Sequence, residues 1–153
     1  MNTQRFAPAI LIALTLNPAL WARHTRDVDT ITEIKMQRDS SHPLMIAVAC
    51  RIDGDSHPRK CMIDTGATHT MISDKLLVAE GPVVVVATPN GLIHAHQRQV
   101  SLTLDGRLQL ESTAFVGSNM TPGGIEILLG EDVLRQFRSV IFDYENQEIE
   151  FHR

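Results

Sequence analysis

The residues with the clearest chemical potential form the stretch Cys61-Met62-Ile63-Asp64-Thr65-Gly66-Ala67-Thr68. Two apolar residues lead Asp64 to the end of a predicted strand, and Thr65 and Gly66 turn the chain sharply beneath it. Such a turn can hold one carboxylate rigidly at the bottom of a cleft, among backbone amides and hydroxyls, where it can do acid–base chemistry. Asp-Thr-Gly is also a common turn sequence, so its meaning depends on what the rest of the chain supplies.

The composition limits the classes to which the chain can belong. Its 153 residues suffice for one domain with a real core. Hydrophobic residues make up 43% and charged residues 21%, which indicates a globular rather than a disordered chain. The net charge is -4 and no run of Lys or Arg is present, so we do not expect nucleic acid as a partner.

Residues 1–22 are typical of a targeting segment. Arg5 supplies a positive flank to the apolar run 9–16, which is too short to span a bilayer comfortably and therefore favours a signal peptide. Leu20 stands where cleavage sites prefer a small residue, which leaves an uncleaved N-terminal anchor open. We expect an exported protein that contacts the membrane only if this segment is retained.

Two cysteines, Cys50 and Cys61, flank a turn-rich segment at 53–58. An even number of cysteines in an exported chain favours a disulfide. If the segment closes a hairpin centred between Asp55 and Ser56, the cysteines lie opposite each other and a cross-strand bridge is feasible. The alternative is a pair of buried free thiols that pack as small hydrophobic residues.

Apolar periodicity and turn signals predict many short strands. The candidates are 31–36, 44–52, 60–63, 83–86, 100–104, 108–110, 113–116, 125–129, 140–143 and 148–151. Two short helices are predicted, one capped by Ser73 and one capped by Asp132. The pattern favours a mostly-β closed or sandwich-like domain over 44–153, after a leader with an edge strand in 23–43.

Three consecutive segments have distinct features. The β-branched run 83–86 predicts a buried strand. Asn90-Gly91 follows and is a strong hairpin signal. The segment 94–100 is polar for a strand, so we expect it to be exposed.

A second apolar strand that runs into a glycine complements the Asp64 stretch. The matching pieces are Ile63-Asp64-Thr65-Gly66-Ala67-Thr68, Ile72-Ser73, the Asn90-Gly91 hairpin, Leu128-Leu129-Gly130-Glu131-Asp132-Val133-Leu134, and Phe142-Asp143 with Ile149-Glu150-Phe151. In this order and spacing the chain resembles the retropepsin-like, single-lobe aspartic proteases, including their bacterial periplasmic or membrane members. The resemblance covers residues 44–151 and is far more specific than the tripeptide alone.

The resemblance implies a fold, an activity and a location. The fold would be the closed β-barrel of an acid-protease lobe with one or two short helices. The activity would be that of an aspartic endopeptidase acting on peptide or protein substrates as a homodimer, without a cofactor or a metal. The bacterial members place the expected location in the periplasm or at the inner membrane.

The chemistry of an aspartic dyad independently requires two copies of the chain. A dyad needs two carboxylates close together that share one proton, because like charges at that distance cannot both ionise cheaply. No second Asp-Thr-Gly or Asp-Ser-Gly is present, and Asp53-Gly54 and Asp105-Gly106 do not fit the pattern. The dyad must therefore join Asp64 of one subunit to Asp64 of the other.

The resemblance also assigns roles within the acid-bearing loop. Asp64 would be catalytic, Thr65 would brace the dyad across the dimer axis, and Gly66 would let backbone approach the carboxylates. Support of this loop falls to Ala67, Thr68 and Gly130.

The Asn90-Gly91 hairpin stands where the family has its flap. Asn90, Gly91 and Leu92 would form the flap tip over an extended substrate that pairs with backbone as an added strand. The tip is not glycine-rich as it is in retroviral enzymes.

Other readings remain open from the sequence. A non-catalytic dimeric peptide-binding module could use the same fold, because fold does not fix function. His94 and His96 alternate on one strand and could share a metal, but no third ligand is evident, and two exposed histidines explain the pattern more simply. His69 is interpreted as a loop residue rather than a base.

Overall fold

The computed structural model of the chain describes residues 30–38, 45–89, 91–118, 121 and 125–153. Within these residues the chain forms eleven strands and one short helix. The elements are β1 (Ile31–Lys35), β2 (Gln37–Arg38), β3 (Ile46–Ile52), β4 (Arg59–Ile63), β5 (Met71–Ser73), β6 (Val83–Thr88), β7 (Gly91–Leu104), β8 (Leu108–Gly117), β9 (Ile127–Leu129), α1 (Glu131–Leu134), β10 (Ser139–Asp143) and β11 (Glu148–His152). The predicted targeting segment 1–22 lies outside the described residues.

The strands form two sheets, which confirms the predicted mostly-β chain. The larger sheet has the order β2-β3-β4-β9-β5-β8-β7-β6, and the smaller one has the order β1-β11-β10. An additional antiparallel pairing joins β3 to β7, with Cys50 opposite Leu104 and Ile52 opposite Leu102. This pairing closes six strands of the larger sheet into a ring. The loop that contains Asp64 connects β4 to β5, which are two strands of this ring.

The two sheets share one hydrophobic core. Ile34, Ile149 and Phe151 come from the small sheet and are almost completely buried. They belong to the same packed cluster as Ile72 and Ile127 of the ring. The small sheet therefore packs against the ring rather than standing apart from it.

The β7–β8 hairpin forms where its sequence predicts it. Leu102, Leu104 and Leu108 are buried, while polar residues between them face outward. The turn 105–107 joins Leu104 to its partner Leu108, and Asp105 and Gly106 have the left-handed φ values of 48° and 68° that suit a tight hairpin turn. This hairpin supplies the longest strand pairing of the fold, between β7 and β8.

The β3–β4 hairpin carries the disulfide, but in a different register from the predicted one. The chain already turns at Asp53-Gly54, where both residues have positive φ. Cys50 therefore faces Arg59, and Cys61 faces Val48. The cysteines lie diagonally on one face, with their Cα atoms 5.8 Å apart, and are disulfide-bonded to each other. The predicted disulfide is thus confirmed, and the directly opposed pairing was wrong.

Replacing both Cys50 and Cys61 with Ala should lower the free energy of unfolding by about 2–3 kcal/mol, because the bridge no longer restricts the unfolded chain. Urea unfolding monitored by circular dichroism measures the change. Wild-type protein in reductant is the matched control and should behave like the double variant. Equal urea midpoints for oxidised and reduced wild type would contradict the prediction.

The turn of the same hairpin is organised by Asp55. Its Oδ1 accepts hydrogen bonds from the backbone N–H of His57 at 2.9 Å, and its Oδ2 accepts one from Arg59 at 3.1 Å. These bonds, above all the one from the His57 backbone, lower the pKa of Asp55 to about 2. Because the folded-state pKa lies below the unfolded value, the stabilisation is complete above roughly pH 4 and is lost only as the pH falls toward 2.

The predicted helix after Ser73 does not form. Ser73 ends β5, and the following residues make a turn in which Leu76 and Leu77 both donate backbone hydrogen bonds to the Ser73 carbonyl. Ser73 Oγ accepts from the Lys75 N–H, as a cap would, but Gly81-Pro82 follows too soon for a helix to propagate.

The run 83–86 is a strand, as predicted, but it is not buried. β6 lies at an edge of the larger sheet and pairs with β7. Val83 and Val85 are each 60% exposed, and within the run only Val86 is buried. The β-branched residues predicted the strand correctly, whereas burial depends on the position of the strand in the sheet.

Candidate active site

Asp64 stands at the end of β4, where the neighbouring strand β9 holds it. β4 and β9 are parallel with Ile63 opposite Leu129, and the Asp64 N–H donates to the Leu129 carbonyl at 2.9 Å. The Gly66 N–H then folds back and donates to Asp64 Oδ1 at 2.8 Å. Among the described residues Asp64 Oδ2 receives no hydrogen bond, and the side chain is only half-buried. One carboxylate oxygen is thus fixed and the other is open to a ligand.

The rest of the loop is tight. The Ala67 N–H donates to the Asp64 carbonyl at 3.2 Å, and Ala67 is buried. Thr65, Gly66 and Thr68 are exposed on the same surface. A Cβ at position 66 would lie 3.2 Å from Asp64 Oδ1, so glycine gives the carboxylate room.

Gly130 packs directly against this loop. A Cβ at position 130 would lie 2.6 Å from the carbonyl carbon of His69 and 2.8 Å from the Ala67 carbonyl oxygen. Only glycine fits such a close approach of two backbones. The Glu131 N–H donates to the Ala67 carbonyl at 2.8 Å, which ties the start of α1 to the middle of the loop.

Asp132 does not cap α1, contrary to the prediction. The N-cap residue is Gly130, and no side chain caps the helix. The Asp132 carboxylate instead accepts hydrogen bonds from Thr70 Oγ1 at 3.0 Å and Ser112 Oγ at 2.5 Å. Sequence reasoning missed Thr70 and Ser112, because no local signal connects residues that lie so far apart along the chain.

Two cavities flank Asp64. One, of about 440 Å³, is lined mainly by the loop, by β6 and by apolar side chains that include Met71, Val86 and Phe115. The other, of about 420 Å³, has Met45, Phe142 and Tyr144 in its wall. Asp64 and Leu128 line both cavities. A bound molecule could therefore extend past the carboxylate from one cavity to the other.

The β6–β7 hairpin forms part of the wall of the first cavity. Val86 and Thr88 of β6 line the cavity together with Asp64, and Thr88 Oγ1 donates to the Gly91 carbonyl at 2.9 Å. Gly91 has a φ of 115°, and Leu92 is 75% exposed near the turn. Asn90, the third residue assigned to the tip, lies outside the described residues.

No protein-family model matches the chain, and no curated protein matches it. The decisive geometry is a carboxylate fixed by backbone, open on one oxygen, and flanked by two cavities.

His69 packs against Phe115, which lines the first cavity. Its ring stacks on Phe115 with ring centroids 4.5 Å apart, and its Nδ1 lies 3.0 Å from Thr68 Oγ1. These contacts fit the interpretation of His69 as a loop residue.

The other histidines lie on β7. His94 is exposed, and His96 Nδ1 lies 3.1 Å from the Gly81 carbonyl oxygen. Over the part of the chain that the structure describes, no three His, Cys, Asp or Glu side chains are grouped to hold a metal ion. The contact of His96 with Gly81 is a structural tie between the hairpin and the preceding loop.

Proposed function

We propose that the protein is an aspartic endopeptidase with a retropepsin-like lobe, whose active site joins Asp64 of one subunit to Asp64 of a second. The single observation that carries the proposal is the setting of Asp64. Its Oδ1 is fixed by the Gly66 N–H, its Oδ2 receives no hydrogen bond from the described residues, and it lines two cavities, one of them mainly apolar and lined also by β6. A purely structural Asp in a turn also accepts such an N–H, but it needs neither a second oxygen left open nor a place in the walls of two cavities.

In this mechanism the two Asp64 carboxylates share one proton, and their pKa values belong to the pair. The ionised carboxylate takes a proton from a bound water, which attacks the scissile carbonyl, while the protonated carboxyl donates to the carbonyl oxygen. The tetrahedral intermediate collapses as a proton passes to the leaving nitrogen. The Gly66 N–H fixes the orientation of each carboxylate throughout.

Exposed residues around Asp64 support a dimer. Phe142 and Tyr144 line the same cavity as Asp64 and Thr65, and Tyr144 is 66% exposed. Ile141 of β10 is 46% exposed, and β10 lies at an edge of the small sheet. This surface would be covered by the copy that supplies the second Asp64.

Charge favours pairing through β10 over pairing through β1, the other edge of the small sheet. Antiparallel self-pairing of β10 about Ile141 puts Asp143 opposite Ser139, without like charges in contact. The same operation on β1 puts Glu33 opposite its own copy. Like charges directly opposite destabilise a strand pair, so β10 is the better dimer edge.

Replacing Ile141 with Lys should raise the concentration needed for dimerisation by on the order of 100-fold, because an unpaired charge becomes buried at the interface. Light scattering across a dilution series measures the effect. Val85→Lys is the matched control, since Val85 is also an exposed apolar residue on an edge strand and should keep the dimer. A dimer unaffected by Ile141→Lys would contradict the proposed edge.

The substrate is proposed to be an extended peptide or protein segment. Its backbone would pair with the β6–β7 hairpin, and alternate apolar side chains would enter the two cavities. The disulfide between Cys50 and Cys61 is typical of exported proteins in oxidising compartments. The disulfide supports a location outside the cytoplasm, and the resemblance to the bacterial members of the family leads us to propose the periplasm.

Cleavage of a peptide library at acidic and neutral pH tests the proposed function. We expect cleavage by wild-type protein and none by Asp64→Asn. Cleavage that persists in the variant would refute the mechanism. Peptide binding by a dimer without any cleavage would instead support a non-catalytic peptide-binding module.

A further inference from the structure

Asp132 joins α1 to two other parts of the chain. Its Oδ1 accepts the hydrogen bond from Thr70 Oγ1, and its Oδ2 accepts the one from Ser112 Oγ in β8. Thr70 is 0% exposed and Ser112 is 5% exposed, so neither hydroxyl can turn to bulk water instead. Removing the carboxylate would leave two buried donors without their acceptor, which is costly.

Thr70 is the end of the loop that begins at Asp64. Its Oγ1 accepts the Gly130 N–H at 3.4 Å, and its carbonyl accepts the Phe115 N–H at 2.9 Å. Asp132 therefore contacts a residue that is also hydrogen-bonded to Phe115, which lines the first cavity. A displaced Thr70 would carry the loop with it.

The short segment 129–132 makes hydrogen bonds to every third residue of the loop, at positions 64, 67 and 70. The Leu129 carbonyl accepts from the Asp64 N–H, and the Glu131 N–H donates to the Ala67 carbonyl. The Asp132 carboxylate accepts from Thr70 Oγ1. The first two contacts are made by backbone atoms and do not depend on the identity of a side chain, whereas the contact of Asp132 with Thr70 depends on the Asp132 carboxylate.

We infer that Asp132 is a positioning residue, which fixes the far end of the loop through Thr70 and so keeps Asp64 in its working orientation. Its effect on catalysis rests on the proposed function, whereas its effect on the loop does not. The carboxylate suits this role because it offers one acceptor oxygen to each hydroxyl. An Asn at this position keeps one acceptor and presents an amide to the other hydroxyl, so it should rescue only part of the effect.

The test compares Asp132→Ala, Asp132→Asn and Thr70→Val with Glu131→Gln. Glu131 is the matched control, since its side chain pairs with Arg135 at the surface. Hydrogen exchange of the backbone amides at 66, 67 and 131 reports on the loop, and kcat and KM are measured on the same samples.

In Asp132→Ala, the loop amides should exchange faster by on the order of tenfold, relative to amides of the β7–β8 hairpin. We expect kcat to fall by on the order of 100-fold with little change in KM, because substrate still binds and the carboxylate is misplaced. Asp132→Asn should lie between Asp132→Ala and wild type, and Glu131→Gln should match wild type. The effects of Asp132→Ala and Thr70→Val should be less than additive in the double variant, because the contact between Asp132 and Thr70 is lost in both.

The outcomes separate this inference from the proposed function. Unchanged loop exchange in folded Asp132→Ala or Asp132→Asn would overturn the inference, as would a rise of equal size in the β7–β8 hairpin. Faster loop exchange in a protein whose wild type cleaves no peptide would support the positioning role and refute the protease. If Asp132→Ala does not fold, Asp132→Asn and Thr70→Val decide the matter by the same readouts.

Discussion

Asp64→Asn is expected to lower the rate of peptide cleavage by on the order of 10³-fold or more, while the protein keeps its fold and its dimer. Asn is nearly isosteric and its side-chain oxygen can still accept the Gly66 N–H at the position of Oδ1. It can neither take a proton from water nor share one with a second carboxylate. The loss should therefore appear in kcat, measured with a peptide that wild-type protein cleaves.

The same variant also tests whether the site is shared. If wild type and Asp64→Asn are mixed in equal amounts and allowed to exchange subunits, about one quarter of the dimers contain two wild-type chains. Activity should then fall to about one quarter of that of the same total protein in wild-type form. Asp74→Asn, an exposed Asp outside the loop, is the matched control and should leave activity unchanged. Activity of one half would mean that each chain works alone.

Gly130→Ala is expected to be the most damaging substitution that removes no chemical group. The new Cβ would lie 2.6 Å from the carbonyl carbon of His69 and 2.8 Å from the Ala67 oxygen. Both are backbone atoms of the Asp64 loop, so no side chain can swing aside and the loop itself must move. We expect a loss of roughly 1–3 kcal/mol in the free energy of unfolding. Since this shift displaces Asp64, kcat should fall by on the order of 100-fold.

Gly106→Ala is the control for that substitution. Gly106 has a φ of 68°, but a Cβ there would meet nothing within 4 Å. Its cost should be only the backbone strain, roughly 1 kcal/mol, with no effect on cleavage. Urea unfolding and kcat together distinguish the two variants. Wild-type values of both quantities for Gly130→Ala would contradict the packing of Gly130 on the loop.

Local signals in the sequence predicted much of the fold. Alternating leucines around Asp105-Gly106 predicted the β7–β8 hairpin, because both burial and turn chemistry are set by neighbours in the chain. The apolar pair before Asp64 and the pair before Gly130 predicted strands, and these strands lie side by side as β4 and β9. Closure of the ring through β3 and β7 depends on contacts that no local signal specifies.

Most of the wrong predictions concern burial or side-chain contacts that depend on residues far apart in the chain. The β6 valines predict a strand in any sheet, but their exposure follows from the edge position of β6, which is a property of the sheet order. The cysteine register is an exception, because the turn lies at Asp53-Gly54, a local hairpin signal, and not between Asp55 and Ser56. Asp132 fits a cap by local spacing, yet its carboxylate is taken by Thr70 and Ser112, and only the folded chain brings these together.

The measurement that tests the central claim most directly is cleavage rate per chain across a dilution series, with molar mass followed by light scattering in the same samples. In the proposed dimer each active site needs Asp64 from two subunits, so the rate per chain should fall in step with the fraction of dimer and vanish as the protein becomes monomeric. A monomer that keeps full activity per chain would contradict the shared active site.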